Sequence, residues 1–170
     1  LQKRKLWSKM IGKSIQELTS QFAQGGTAQL VTIRQERKQL PVSIEEVQAL
    51  AEIGLEGDHY ASKGGKRQVT LIAQEHINAV ASILGVESVD PLLLRRNIVT
   101  SVINLHALKD KSFQIGEAIL EYTGECHPCS RMEENLGTGG YNAMRGHGGI
   151  TCRIVQSGRI ATGDKIITLP

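Results

Sequence analysis

Aromatic side chains are scarce in this chain: two Phe, three Tyr and one Trp among 170 residues, 4 % of the whole. Proteins that grip nucleic acid by stacking bases on aromatic platforms need more, so no nucleic-acid partner is expected. Cysteine is equally sparse. Its three copies form an odd set, and Cys126 and Cys129 stand close together, which argues against a disulfide framework and for a reducing, cytoplasmic setting. No apolar run has the length of a membrane span, so no transmembrane segment is expected, and no secretory leader is recognisable. Leu1, not Met, stands first, which leaves open a targeting segment removed before it. Internal repeats and low-complexity tracts are missing as well.

What is present is ordinary for a globular protein. Hydrophobic residues make up 40 % and charged residues 22 %, with a mildly basic net charge of +3. The length suits one domain with a genuine core. Leu6, Met10, Ile11, Leu18 and Phe22 recur at helical spacing with Lys and Gln between them. Residues 5–23 are therefore expected to form an amphipathic helix ended by Gly25-Gly26. Residues 1–25 would then be a helical extension, packed on the domain or used for self-association as a homodimer, and residues 26–170 the domain itself. A basic helix lying on a membrane surface is the alternative.

From Thr27 the pattern turns extended, with apolar residues on both faces, and Arg34 to Gln39 suits a hairpin loop. Further strands are expected at residues 68–72, 97–100, 112–115, 118–123, 150–156 and 165–169. Helices are expected at 74–84, closed by Gly85, and at 92–94, capped by Asp90 with Pro91 at its first position. Many short strands, glycine turns and few long helices point to a mainly β protein, a barrel or sandwich with flanking helices.

Chemistry concentrates in Glu125-Cys-His-Pro-Cys129. Pro128 is placed to begin a helix, which would put Cys129 in the first turn, where unpaired N–H groups and the helix dipole favour an anion. A thiolate is the nucleophilic and metal-ligating form of cysteine. Three readings of these residues stand side by side: Cys129 acting as a single thiolate, a Cys126/Cys129 redox pair, and a zinc site built from Cys126, Cys129, His147 and Cys152. Upstream, the loop Lys63-Gly-Gly-Lys66-Arg67 combines cations with flexible backbone and is suited to an anion, though it lacks the phosphate-loop spacing. Arg95, Arg96 and Asn97, at a helix-to-strand junction, could bind an anionic or planar ligand by forked hydrogen bonds. His59, His127 and His147 lie in loops beside Gly or Cys, whereas His76 and His106 read as structural.

Taken in order, Gly54-Leu-Glu-Gly-Asp-His59, Gln68-Val-Thr-Leu-Ile72, Arg96-Asn-Ile-Val-Thr100, Phe113-Gln-Ile-Gly116, Pro128-Cys129 and Gly148-Gly-Ile150 resemble the MOSC domain. That module is named after the C-terminal part of molybdenum-cofactor sulfurases, and the resemblance covers residues 27–169. It implies a β-barrel with a few flanking helices. It also implies a cofactor, molybdopterin carrying molybdenum, whose phosphate would be held by His59, Lys66, Arg67, Arg96 and Asn97. Cys129 would be the catalytic thiolate, either carrying sulfur as a persulfide or ligating molybdenum in the reduction of N-hydroxylated compounds. Three cysteines cannot hold an iron–sulfur cluster, so a separate electron-donor or sulfur-donor protein is implied. A non-enzymatic carrier of molybdopterin or sulfur is the competing class. Pyridoxal phosphate is not expected, since no strand-and-lysine context for a Schiff base is present.

Overall fold

The computed structural model describes residues 12–170. Its strands are β1 (Gly26–Ile33), β2 (Val42–Ile44), β3 (Glu46–Leu50), β4 (Gly54–Leu55), β5 (Val69–Ala73), β6 (Ile98–Ser101), β7 (Ser112–Ile115), β8 (Ala118–Glu125), β9 (Ile150–Gln156), β10 (Gly158–Ala161) and β11 (Lys165–Thr168). The helices are α1 (Ile15–Thr19), α2 (Gln74–Leu84), α3 (Pro91–Leu94), α4 (Ser130–Leu136) and α5 (Gly140–Met144), with one 3₁₀ turn at Leu105–Leu108.

The main sheet closes on itself, because β11 pairs with both β7 and β1. The ring runs β1, β6, β5, β9, β8, β7, β11 and back to β1, with β2 extending it on one side of β1. A ring with an odd number of strands cannot alternate direction all the way round. The parallel pair falls between β5 and β6, and every other pairing in the ring is antiparallel. Parallel neighbours need a crossover, and α2 and α3 supply it. Strands β10, β3 and β4 form a small separate sheet.

Strand alternation sorts the core into two clusters. In β5, Val69, Leu71 and Ala73 point into the barrel, while Ile72 points outward against the helices. In β6, Ile98 faces in and Val99 faces out. The barrel is filled by Phe113, Leu120, Ile154 and their neighbours, all fully buried. Ile77 and Val80 of α2, Leu94, Met132 and Met144 cover the outer face. Each fully buried branched side chain contributes about 1.5–3 kcal/mol relative to staying in water. The expectation of a mainly β barrel with flanking helices therefore holds.

Two local expectations are corrected. The described part of the N-terminal helix is only Ile15–Thr19, opened by a Ser14/Glu17 capping box, and it does not run on to Ala23. Thr19 and Ser20 hydroxyls donate to the carbonyls of Gln16 and Glu17, and none of the helix residues is buried, so nothing draws it further. Residues 5–11 of the expected helix lie outside the described residues. Strand β8 does not end at residue 123. It continues to Glu125, paired with Ile150, after a bulge between Tyr122 and Gly124.

Candidate functional site

Thr70 and Thr151 face each other across the β5–β9 ladder. Their flanking residues, Val69, Leu71, Ile150 and Cys152, fill the barrel, so both threonines point outward. The helices leave this part of the outer wall uncovered, and a cleft of about 330 Å³ opens over it. Arg34 enters from the end of β1, Tyr60 and Arg67 from the loops before β5, Arg95 and Arg96 from the junction before β6, and Cys126 to Cys129 from the segment after β8. Met132 of α4 forms an apolar patch on the same wall.

A buried polar network fixes the floor. Asp58 accepts from the Arg34 backbone N–H (2.8 Å) and the Asn97 side-chain amide (3.1 Å) through Oδ1, and from the Tyr60 N–H (3.0 Å) through Oδ2. Asn97 Oδ1 accepts from both the backbone N–H and the hydroxyl of Thr70. Three chain segments are thereby locked to β6 with every participating oxygen used.

Arg96 is a strut. Its Nε donates to the Gly148 carbonyl (2.8 Å) and one terminal nitrogen to the Leu94 carbonyl (2.7 Å), tying the β6 junction to the glycine pair before β9. That pair has to be glycine: a Cβ on Gly148 would collide with the Cys126 carbonyl, and one on Gly149, at φ +83, with the Leu71 carbonyl. Arg95 holds the left-handed position that ends α3, and its guanidinium donates to the Arg37 and Gln39 carbonyls. Its pKa is lowered, by burial first and next by the adjacent Arg34 and Arg131. Neighbouring cations thus add to burial in disfavouring its charge.

Arg34 differs from both. It is 7 % exposed, its guanidinium carbon sits 5.0 Å from the Tyr60 ring centroid, and its buried Nε has no hydrogen-bond partner. A buried charged donor left unpaired is costly. Stacking on tyrosine recovers part of that cost. An anion in the cleft would supply the missing acceptor.

Cys129 is exposed on the cleft wall, Cys126 partly buried, and Cys152 fully buried in β9. Cys129 is the N-cap of α4 rather than a first-turn residue, and Pro128 precedes the cap. Its extended backbone (φ −123, ψ 174) orients the thiol outward with no capping hydrogen bond of its own. Burial pushes the Cys152 thiol far up, as expected for a small core hydrophobe. Among the described residues no three His, Cys, Asp or Glu side chains are arranged to hold a metal ion, so the four-residue zinc site is not assembled.

Of the residues singled out from sequence, Arg67, Arg95, Arg96, Cys126, His127 and Cys129 line the cleft together. Asn97 lies beneath it, saturated by Thr70, Thr32 and Asp58. His59 and Lys66 are exposed and outside the lining; His59 contributes a backbone N–H to the Arg34 carbonyl, and Lys66 its carbonyl to the Thr123 hydroxyl. Sequence reasoning missed Arg34, Tyr60, Thr70 and Thr151. Arg34 opens a polar run that reads as a solvated loop, and nothing in the sequence separates it from its neighbours.

Comparison with known proteins supports the same architecture. A family model of the MOSC domain matches residues 57–167. The YuaD protein from Bacillus subtilis superposes with a TM-score of 0.74 at 22 % identity, covering 84 % of this chain and 94 % of that one. YiiM from Geobacillus stearothermophilus gives 0.70 at 12 % identity, covering 85 % and 75 %. YiiM from Escherichia coli gives 0.65 at 18 % identity, covering 85 % and 70 %. At these identities the structural likenesses establish the fold. No curated protein matches the sequence.

Proposed function

The chain belongs to the MOSC domain family, and on that premise we propose that the cleft binds a phosphate-bearing molybdenum cofactor, with Cys129 as its thiolate partner. In this reading residues 26–170 are the functional domain and residues 1–25 an extension. The observation that carries it is the orphaned Nε of buried Arg34, in a wall it shares with three other guanidinium groups and the Cys129 thiol. Arginine is suited to phosphate because its planar fork matches two oxygens at once. Arg34 and Arg67 would hold the phosphate, and Arg95 and Arg96, already anchored to backbone carbonyls, would add field and rigidity. Thr70 and Thr151, their hydroxyls already engaged with Asn97 and Gly124, make a firm floor, and Met132 adds an apolar patch.

The residues present thus fit the group: cations and donors for the anionic tail, and a soft sulfur ligand for a soft metal. When bound, the cofactor would supply two-electron redox chemistry at molybdenum. The chain's own part is to bind, orient and ligate. The substrate class is N-hydroxylated compounds, whose reduction releases water and draws its electrons from a separate protein. Carriage of sulfur as a persulfide on Cys129 uses the same thiol and anion pocket.

Metal and pterin content of protein made in a host that synthesises the cofactor tests the reading. Molybdenum and pterin in wild type but absent from Cys129→Ala, with Cys126→Ala retaining most of its load, is the expected result. Equal loss in both variants would favour a redox pair instead. A persulfide on Cys129 without metal would assign sulfur carriage, and pterin-free, persulfide-free protein would sink the proposal.

A further inference from the structure

Outside the arginine cleft, three imidazoles meet. His76 stands in the first turn of α2, His106 in the 3₁₀ turn, and His147 in the loop between α5 and β9. The His76 ring centroid is 5.4 Å from that of His106 and 5.1 Å from that of His147, the second contact edge to face. The Nδ1 atoms of His76 and His147 are both buried and have no hydrogen-bond partner. No three metal-ligating side chains are poised around an ion among the described residues, so the cluster is not a ready metal site. Protons are the remaining ligand that imidazoles bind near neutral pH.

The cluster is mechanically coupled to the thiol segment. The two residues after His147 are the glycines that hold it: Gly148 O accepts from Arg96 Nε, and Gly149 O accepts from the Cys126 N–H at 2.9 Å. The Gly148–Cys126 contact leaves no room for even a methyl group. On the other side, His106 Nδ1 is 3.6 Å from Glu125, the residue before Cys126. The charged groups set against the rings are Glu75 from α2, whose carboxylate accepts from the Val102 N–H, and Glu125 from the end of β8.

We propose that His76, His106 and His147 form a proton-operated latch on the Cys126–Cys129 segment. With neutral rings the cluster packs and the Gly148-Gly149 carbonyls clamp Arg96 and Cys126. Protonation of two rings sets cations side by side at this ring spacing, and their repulsion lifts the His147 loop away. Burial, followed by His147 and His106, already lowers the proton affinity of His76, so the packed form resists charging until the medium is acidic. The latch rests on the cofactor reading only for its consequence, a Cys129 less firmly presented, and its test reads the loop directly.

The test is NMR on the full, cofactor-free chain, following the imidazole resonances and hydrogen exchange at the Cys126 amide. Between about pH 7.5 and pH 5.5, the protection factor of that amide should fall roughly tenfold, with the same midpoint as the imidazoles. In His76→Phe, which keeps a ring but removes the central charge, protection should stay level. If that variant does not fold, the shared midpoint in wild type decides alone. Constant protection at Cys126 while the three rings titrate would overturn the latch. So would one equivalent of zinc fixing the ring resonances, because the cluster would then be a metal site. Failure of cofactor loading would leave this result untouched, so the two proposals can fall separately.

Discussion

Asp58 and Arg34 are hydrogen-bonded neighbours, both more than nine-tenths buried, yet they end differently. Asp58 has both oxygens occupied by donors from three segments. Arg34 keeps a buried Nε with no acceptor. A protein places a satisfied buried carboxylate to hold segments together and gains stability from it. It gains none from an unsatisfied guanidinium, so Arg34 is best explained by something that arrives from outside. The same distinction separates Asn97 from Arg67: both lie at the site, but only the arginine presents its charged group to the cleft.

The sharpest way to break that comparison is to remove the saturated partner. Asp58→Ala strands the N–H groups of Arg34 and Tyr60 and the amide of Asn97, and should cost about 3 kcal/mol or more, read from urea unfolding. A loss below about 1 kcal/mol would mean the network is ornamental. Asn97→Ala should follow at about 2 kcal/mol, because the Thr70 N–H and one Asp58 contact lose their partner. If Asn97→Ala instead kept its stability and lost only ligand, Asn97 would belong to the binding set after all.

The opposite profile is expected across the contact. Arg34→Met keeps the apolar stem and removes the unpaired charge, so stability should hold or rise by up to about 1 kcal/mol. Affinity for the phosphate-bearing cofactor should weaken at least tenfold, about 1.4 kcal/mol. Arg67→Ala, exposed and screened by solvent, should weaken it only a few-fold. Severe destabilisation in Arg34→Met would place that residue with Asp58 and erase the contrast.

These contrasts were unequally legible in the sequence. The strands announced themselves, because alternation in 69–73 and 150–156 and the β-branched residues of 98–101 say which positions face the barrel. The Asp90-Pro91 start and Gly85 stop of the helices were equally plain. Cys129 could be found because its neighbours are so unlike the rest of the chain. Arg34 could not, since what distinguishes it is burial, and burial depends on Tyr60 and Asp58, more than twenty residues away. Asn97 was recognised, but its hydrogen bonds within the protein were hidden for the same reason: its partners Thr70 and Asp58 come from other strands and turns. Local pattern tells which residues are unusual, and tertiary contact decides whether their hydrogen bonds are already spent. The histidines, taken singly as loop or structural residues, show their chemistry only once three separate segments bring the rings together.

The smallest effect concerns another unsatisfied nitrogen, Nδ1 of His76, which unlike the Arg34 guanidinium belongs to a group that can stay neutral. Its folded-state pKa lies below the ordinary value of 6.5, first through burial and then through His147 and His106. The unfolded chain therefore binds this proton more readily. Above pH 6.5 neither state is protonated and His76 adds no slope. As pH falls from there toward the lowered folded value, the unfolded state carries more protons and stability declines. His76→Phe removes that difference, so urea midpoints of mutant and wild type should run parallel above neutrality, with the wild-type curve falling more steeply on the acid side. Because the ring is substantially solvated, the divergence should be small. Parallel curves down to pH 5 would show that an orphaned neutral nitrogen costs this fold nothing on acidification, and that only the orphaned charge of Arg34 marks a functional position.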